Sequence, residues 1–152
     1  MRQPVSVLVY PARNDNGRWE YLLLRRVPQP KLGFESFWQG VTGGLEEGET
    51  PLNAAARELS EETGFFDIRL KYVGYSYSFP IRKEWRHKYA PDAKDIVEHV
   101  FVAYADLNQT PSLSKEHDEY QWCSLDEAMS LLRYPENFTG LQRCEEYLQP
   151  EN

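Results

Sequence analysis

Cysteine is scarce in this sequence: Cys123 and Cys144 are the only two among 152 residues. Neither sits in a CxxC pair or at a spacing from histidine that suggests a zinc set. Both are read as reduced thiols, in the core or near the surface of a cytoplasmic protein. Long apolar runs are missing as well. The longest, "VSVLVY" and "YLLL", are strand-sized, whereas a membrane-crossing helix needs about 20 apolar residues. The stretch "MRQPVSVLVY" enters a strand-like pattern with no separate apolar segment and no small-residue cleavage site, so no signal peptide is expected. Positive charge is in deficit: 17 Lys and Arg stand against 24 Asp and Glu, a net charge of −7. No broad positive field exists to attract phosphates, which argues against a general binder of nucleic-acid polymers or anionic membranes. An anionic small molecule is still compatible, through metal ions and a local basic patch. Repeats, low-complexity tracts and linker-like stretches are absent, and the length suits one domain spanning residues 1–152.

What is present alternates between strand and helix patterns. Residues 4–12 and 18–26 read as two strands joined by a turn at Asn14-Asp15-Asn16-Gly17. A Pro- and Gly-containing loop, "VPQPKLGFES", leads to a short strand near "FWQGVTGG". A helix is expected over Pro51–Thr63, then a strand over 66–81, a charged loop over 82–95 and a buried strand over 95–107. "DEYQWCS" reads as a shorter strand. Ser124-Leu125-Asp126-Glu127 is a capping box opening a helix to about Arg133, which Tyr134-Pro135 ends. Leu141, Cys144, Tyr147 and Leu148 give a last helix its apolar stripe. The mixture argues for a mixed sheet covered by helices.

The helix at 51–63 carries the chemistry. Thr50 is a plausible N-cap, Pro51 suits the first helical position, and Gly64 suits the residue just past the end. Leu52, Ala55, Ala56 and Leu59 fall on one face, expected to pack on the sheet. Glu58, Glu61 and Glu62, at i, i+3 and i+4, share another, where like charges repel at about 0.2–0.5 kcal/mol per pair. A bound cation would offset that repulsion, and hard carboxylate oxygens suit Mg²⁺ or Mn²⁺. The plainer reading is a solvated acidic face. Gly40, Gly43, Gly44 and Gly48 precede the helix and permit close approach of backbone to a neighbour. They deliver Glu49 near the helix start, where Arg57 can pair with it and brace loop against helix.

Gly43, Glu49, Arg57, Glu58, Leu59, Glu61, Glu62, Gly64 and Phe65 together look like the Nudix box, G-x5-E-x7-R-E-U-x-E-E-x-G-U, without a gap. The resemblance implies an α/β fold, an α/β/α sandwich with a mixed sheet. It also implies divalent-metal hydrolysis of a nucleoside diphosphate linked to another group. By the same resemblance Glu58 and Glu62 are first-choice metal ligands with Glu61 beside them, and Arg57 and Glu49 are the pair that orients them. Phosphoanhydride hydrolysis needs charge neutralised on phosphate oxygens and a water made nucleophilic, which metals supply.

Outside the box, "PVSVLV", "LLRR", "FWQGVTGGLEEGET", "RHKYAPD" and "EHDEYQW" resemble the dATP and dihydroneopterin triphosphate pyrophosphohydrolases of that family. Arg25 and Thr42 resemble substrate-contacting positions of that branch, and Arg2 is a weaker candidate. Arg82, Lys83, Arg86, His87 and Lys88 form the densest basic cluster. It reads either as a triphosphate clamp, with Trp85 or Tyr89 stacking on a base, or as a solvated loop. An auxiliary carboxylate for metal or water is expected at Glu116, which aligns with such a glutamate in the branch; Glu98, in an apolar strand, is the alternative. His87, His99 and His117 have no ligand-like spacing and are read as packing or surface residues. The reading is a Mg²⁺-dependent hydrolase of a nucleotide or pterin triphosphate. Its rivals are a dinucleoside polyphosphate or ADP-ribose hydrolase, and a Nudix-fold binding module without turnover.

Overall fold

In the computed structural model, which describes residues 1–149, β1 (Val5–Asp15) turns back into β2 (Arg18–Arg26) through Asn16 and Gly17, at φ 52° and 87°. Two successive positive φ angles define the tight hairpin turn that Asn-Gly forms at least cost. Strand pairing therefore runs right up to Asp15, three residues beyond the expected end of the first strand. The last three residues of the expected domain lie outside the described residues.

Past the turn the two strands splay. β1 pairs with β2 only over Ala12–Asp15 and with β4 (Val41–Gly44) over Ser6–Val9. β2 pairs with β3 (Phe37–Gln39) over Leu24–Arg26, and with β7 (His117–Cys123) along its other edge. β3 and β4 thus fill the fork, each on one prong. The chain switches prongs at Gly40, where a Cβ would stand 2.8 Å from the Val9 carbonyl oxygen and 2.9 Å from the Tyr10 ring. β6 (Asp95–Tyr104) runs parallel to β1, and β5 (Leu70–Pro80) closes the sheet antiparallel to β6. The sheet is mixed, as expected.

Alternation along β1 feeds two cores. Val7 and Val9, with Leu22, Leu24, Val41 and Phe101, lie under α1 (Pro51–Thr63). Leu8 and Tyr10, with Leu23, Val100, Val102, Leu141 and Cys144, lie under α2 (Leu125–Leu131) and α3 (Pro135–Leu148). The result is an α/β/α sandwich. Each fully buried Leu or Val contributes about 1.5–3 kcal/mol relative to exposure. Cys123 and Cys144 are free and buried.

Several local readings shift. α1 has the expected ends: Thr50 Oγ1 accepts from the Asn53 N–H at 3.2 Å, and Gly64 takes φ 76°. Its buried face differs, though. Ala54, Ala55, Leu59, Glu62 and Thr63 are buried, while Ala56 is exposed and Leu52 is 51% exposed. Alanines on both sides made the apolar stripe ambiguous, and the glutamates settle it by turning toward the sheet. β5 starts at Leu70 rather than 66, because Asp67 at φ 55° bends the chain. β6 ends at Tyr104, α2 ends at Leu131, and Pro135 opens α3. Tyr147 is 44% exposed, so the stripe of α3 is carried by Leu141, Cys144 and Leu148. The charged loop contains a short 3₁₀ turn over Lys83–Lys88.

Candidate functional site

The loop from β4 to α1 is clasped by one guanidinium. Arg57 donates from Nε and Nη2 to the two oxygens of Glu49, both at 2.8 Å, and from Nη2 to the Gly44 carbonyl at 3.0 Å. Its Nη1 donates to Glu58 Oε1 at 2.8 Å and reaches Glu61 Oε2 at 3.4 Å. Glu49 also accepts the Glu46 N–H at 3.0 Å. Hydrogen bonds from Arg57 hold the Glu49 carboxyl down to about 2. The fork geometry is what a lysine could not reproduce.

Glu58 then lies flat on β4. A Cβ built on Gly43 overlaps its carboxyl and stands 2.6 Å from its Cγ. Only a glycine leaves that cradle open. Burial pushes the Glu58 carboxyl up to about 7 even against Arg57, and Glu61 and Glu62 add to the rise.

Glu62 is buried under the start of β7. Its Oε2 accepts from Ser114 Oγ at 3.0 Å and stands 2.6 Å from His117 Nδ1. Burial opposes its ionisation, but His117 and Ser114 outweigh it and hold the carboxyl below its ordinary value. Gln39 shares a 2.9 Å contact with His117 Nε2, fixing the ring from behind. Glu116, adjacent in sequence, brings a carboxylate oxygen, so that one atom each from Glu62, Glu116 and His117 lie within 4.8 Å of one another. Burial and the neighbouring Glu62 raise the Glu116 carboxyl, while Arg26 Nη1 approaches it at 3.3 Å.

These residues fit a divalent cation. His117 Nδ1 is buried and stands 2.6 Å from Glu62 Oε2, with no other polar partner among the described residues. The Gly43 cradle leaves the Glu58 carboxyl room, and the donor set is dominated by carboxylates, which suits Mg²⁺ or Mn²⁺.

The structure brings Glu58, Glu62 and Glu116 to one side of the sheet. Glu61 stands apart, its side chain 55% exposed and turned to Arg57. Thr42 and Arg25 project on the opposite face, Thr42 paired with Leu8 and Arg25 beside Trp38. Arg25 is held by Asp118 at 2.8 Å and Glu119 at 3.0 Å. In the basic loop, the Arg86 guanidinium donates to the Ala93 and Pro91 carbonyls at 2.7 and 3.0 Å. Tyr89 is buried with Ile81 and Ile96, and Lys88 accepts the Arg2 N–H at its carbonyl, 2.9 Å away. Glu98 sits on the α3 face with Val100 and Val102, so the sheet separates it from the α1 carboxylates. Buried there, it accepts from Ser6 Oγ at 2.8 Å and from the Tyr77 hydroxyl. Burial pushes its carboxyl up to about 7.

Two neighbours of the site escaped the reading of the residues. His117, read as a packing or surface residue, is indeed buried, but it packs directly on Glu62 at the site; its adjacency to Glu116 at a strand start was the available signal. Gln39 offered none.

Comparison with known proteins identifies the family and the fold. The NUDIX domain family model matches residues 2–144. The dihydroneopterin triphosphate diphosphatase of Haemophilus influenzae is 33% identical over 147 residues, covering 91% of this chain and 85% of that protein. An octanoyltransferase of Myxococcus xanthus is 34% identical over 130 residues, which are 86% of this chain but 33% of that longer protein. The solved structure of the E. coli dihydroneopterin triphosphate pyrophosphohydrolase superposes with a TM-score of 0.74 at 30% identity, covering 93% of this chain and 94% of that one. The chain belongs to the Nudix hydrolases.

Proposed function

We propose that this Nudix hydrolase is a Mg²⁺-dependent pyrophosphohydrolase, converting dihydroneopterin triphosphate or a nucleoside triphosphate to the monophosphate and pyrophosphate. The observation that carries the reading is the meeting of Glu62 with Glu116 and His117, from two elements far apart in sequence, on the side of the sheet where Glu58 lies against Gly43. Similarity to the dihydroneopterin triphosphate enzymes supports the substrate class.

Glu58, Glu62 and Glu116 are the groups that would hold Mg²⁺, with Glu61 at the rim. When bound, the ion neutralises phosphate oxygens and makes water acidic enough to attack near neutral pH. The chain does the positioning. Arg57 fixes the angle of Glu58 and the loop through Glu49, and His117 and Ser114 keep Glu62 ionised. Glu116, more exposed and less acidic than Glu62, receives the proton of the attacking water. The water oxygen forms the new bond to phosphorus as the anhydride bond breaks, and pyrophosphate departs. Thr42, Arg25 and Lys88 contact the substrate from the other face, while Arg86 and Tyr89 shape the adjoining loop.

A substrate panel tests this. Dihydroneopterin triphosphate, dATP, dGTP, ADP-ribose and a dinucleoside tetraphosphate are incubated in Mg²⁺, with pyrophosphate and phosphate measured separately. Pyrophosphate from the triphosphates is the expected result. Turnover confined to ADP-ribose or the dinucleotide contradicts the substrate class, and no turnover at all favours a binding module.

A further inference from the structure

On the α3 face, four residues form a straight row across four strands: Gly44 on β4 opposes Ser6 on β1, Ser6 opposes Glu98 on β6, and Glu98 opposes Tyr77 on β5. The row is polar, and it lies between two apolar clusters. On one side stand Leu8, Val100 and the core beneath α3; on the other, Ile96, Ile81 and Tyr89, with Phe79 and Trp85 packed against them. A leucine at position 98 would fuse the two clusters. A carboxyl is there instead, and among the described residues no Lys, Arg or His lies within ion-pair distance of it. A buried acid without a cation is costly unless hydrogen-bonded, and its two partners, Ser6 and Tyr77, occupy one site on each oxygen. Once ionised, above the value of about 7 to which burial raises it, the carboxyl has about four acceptor sites, of which two are left over.

We infer that Glu98, held by Ser6 and Tyr77, is the residue that reads the heterocycle of the substrate, selecting rings that present an amide N–H beside an exocyclic amine. That edge belongs to the 2-amino-4-oxo ring of dihydroneopterin and equally to guanine. Adenine presents a donor beside an acceptor, which would leave one Glu98 oxygen unpaired. The location suits the role. Thr42 and Arg25 share this face, and the Arg2 guanidinium lies over Gly44, where a Cβ would stand 3.2 Å from its Nη1; β4 pairs with β1 alone, so an extended ligand running from Glu98 to Glu58 rounds the β4 edge beside that cation. From β4 to β6 is two strand spacings, about 10 Å. The inference rests on the proposed function for the substrate's phosphate chain, but base selection is readable without turnover.

The experiment is equilibrium binding of dGMP, dAMP and 7,8-dihydroneopterin to the whole protein, in EDTA, by calorimetry or tryptophan fluorescence. Wild type should bind dGMP at least about 10-fold more tightly than dAMP, the effect of one missing charge-assisted hydrogen bond. Glu98→Gln, nearly isosteric, replaces one acceptor by a donor and should bring the ratio close to one, with dihydroneopterin weakened in parallel. Should circular dichroism show that variant unfolded, Glu98→Asp, which withdraws the carboxyl by one methylene, should lower the ratio instead. A wild type without preference overturns the assignment, and so does a preference that survives in a folded variant. Clear base preference with no hydrolysis of any triphosphate sustains the assignment and removes only the proposed reaction.

Discussion

The carboxyl of Glu58 rests on the bare Cα of Gly43, so close that any side chain on Gly43 would occupy the same space. The strand and the helix are thereby fitted to each other at the carboxyl proposed to hold Mg²⁺. Gly43→Ala should displace the Glu58 carboxyl, the free end of a flexible side chain, and leave the backbone nearly in place. The expected outcome is a loss of stability of about 1–3 kcal/mol, the cost of overpacking a filled site, with Mg²⁺ affinity and kcat each reduced at least about 10-fold. Calorimetric Mg²⁺ titration beside a thermal melt separates the two effects.

Arg57 makes the second prediction. Arg57→Lys keeps the charge but loses the two-pronged grip on Glu49 and the bond to the Gly44 carbonyl, and should cost about 1–3 kcal/mol at pH 7. Glu49 titrates at about 2 in the folded protein, below its ordinary value. Its contribution is present above the unfolded value and fades as pH falls toward 2. The stability gap between wild type and variant should therefore narrow on acidification, as thermal melts at pH 7 and pH 3 would show.

Glu116 and Glu98 lie on opposite sides of the sheet and should fail differently. Glu116→Gln should lower kcat strongly with little change in KM, the pattern of a group that acts only as the bond breaks. A KM effect instead would place Glu116 in substrate binding.

Much of this site was legible because it is local. Thr50, Pro51 and Gly64 mark the helix ends, and the spacing of Glu58, Glu62, Arg57 and Glu49 is contained in one loop and one helix. The orientation of that helix was not legible: Ala54, Ala55 and Ala56 give no apolar contrast, and two glutamates, usually surface residues, are what it turns inward. The contact between Glu62 and His117 spans 55 positions and depends on β7 pairing with β2, which no local pattern encodes. Alternation placed Glu98 on the side of Val100 and Val102, but not which helix covers that side. The basic loop looked like free charge, yet Arg86 is taken up by carbonyls of its own loop.

Glu98 also sets a pH dependence. Burial raises its carboxyl to about 7, with Glu136 of α3 adding to the rise and Tyr77 and Ser6 opposing it. A raised carboxyl contributes stability that is complete below its unfolded value and lost as pH rises through about 7. Glu98→Gln should match wild type near pH 5 and exceed it at pH 8.5, by on the order of 1–3 kcal/mol. Equal melting temperatures at pH 8.5 would show that the carboxyl is solvated.

Release of pyrophosphate from dihydroneopterin triphosphate, followed for wild type and Glu62→Gln in Mg²⁺ and in EDTA, tests the central claim most directly. Wild type should release one pyrophosphate per substrate in Mg²⁺ and none above background in EDTA. Glu62→Gln should remain folded and turn over at least about 10²-fold more slowly. Orthophosphate as the product, turnover that survives EDTA, or a near-normal rate in the variant would contradict the account.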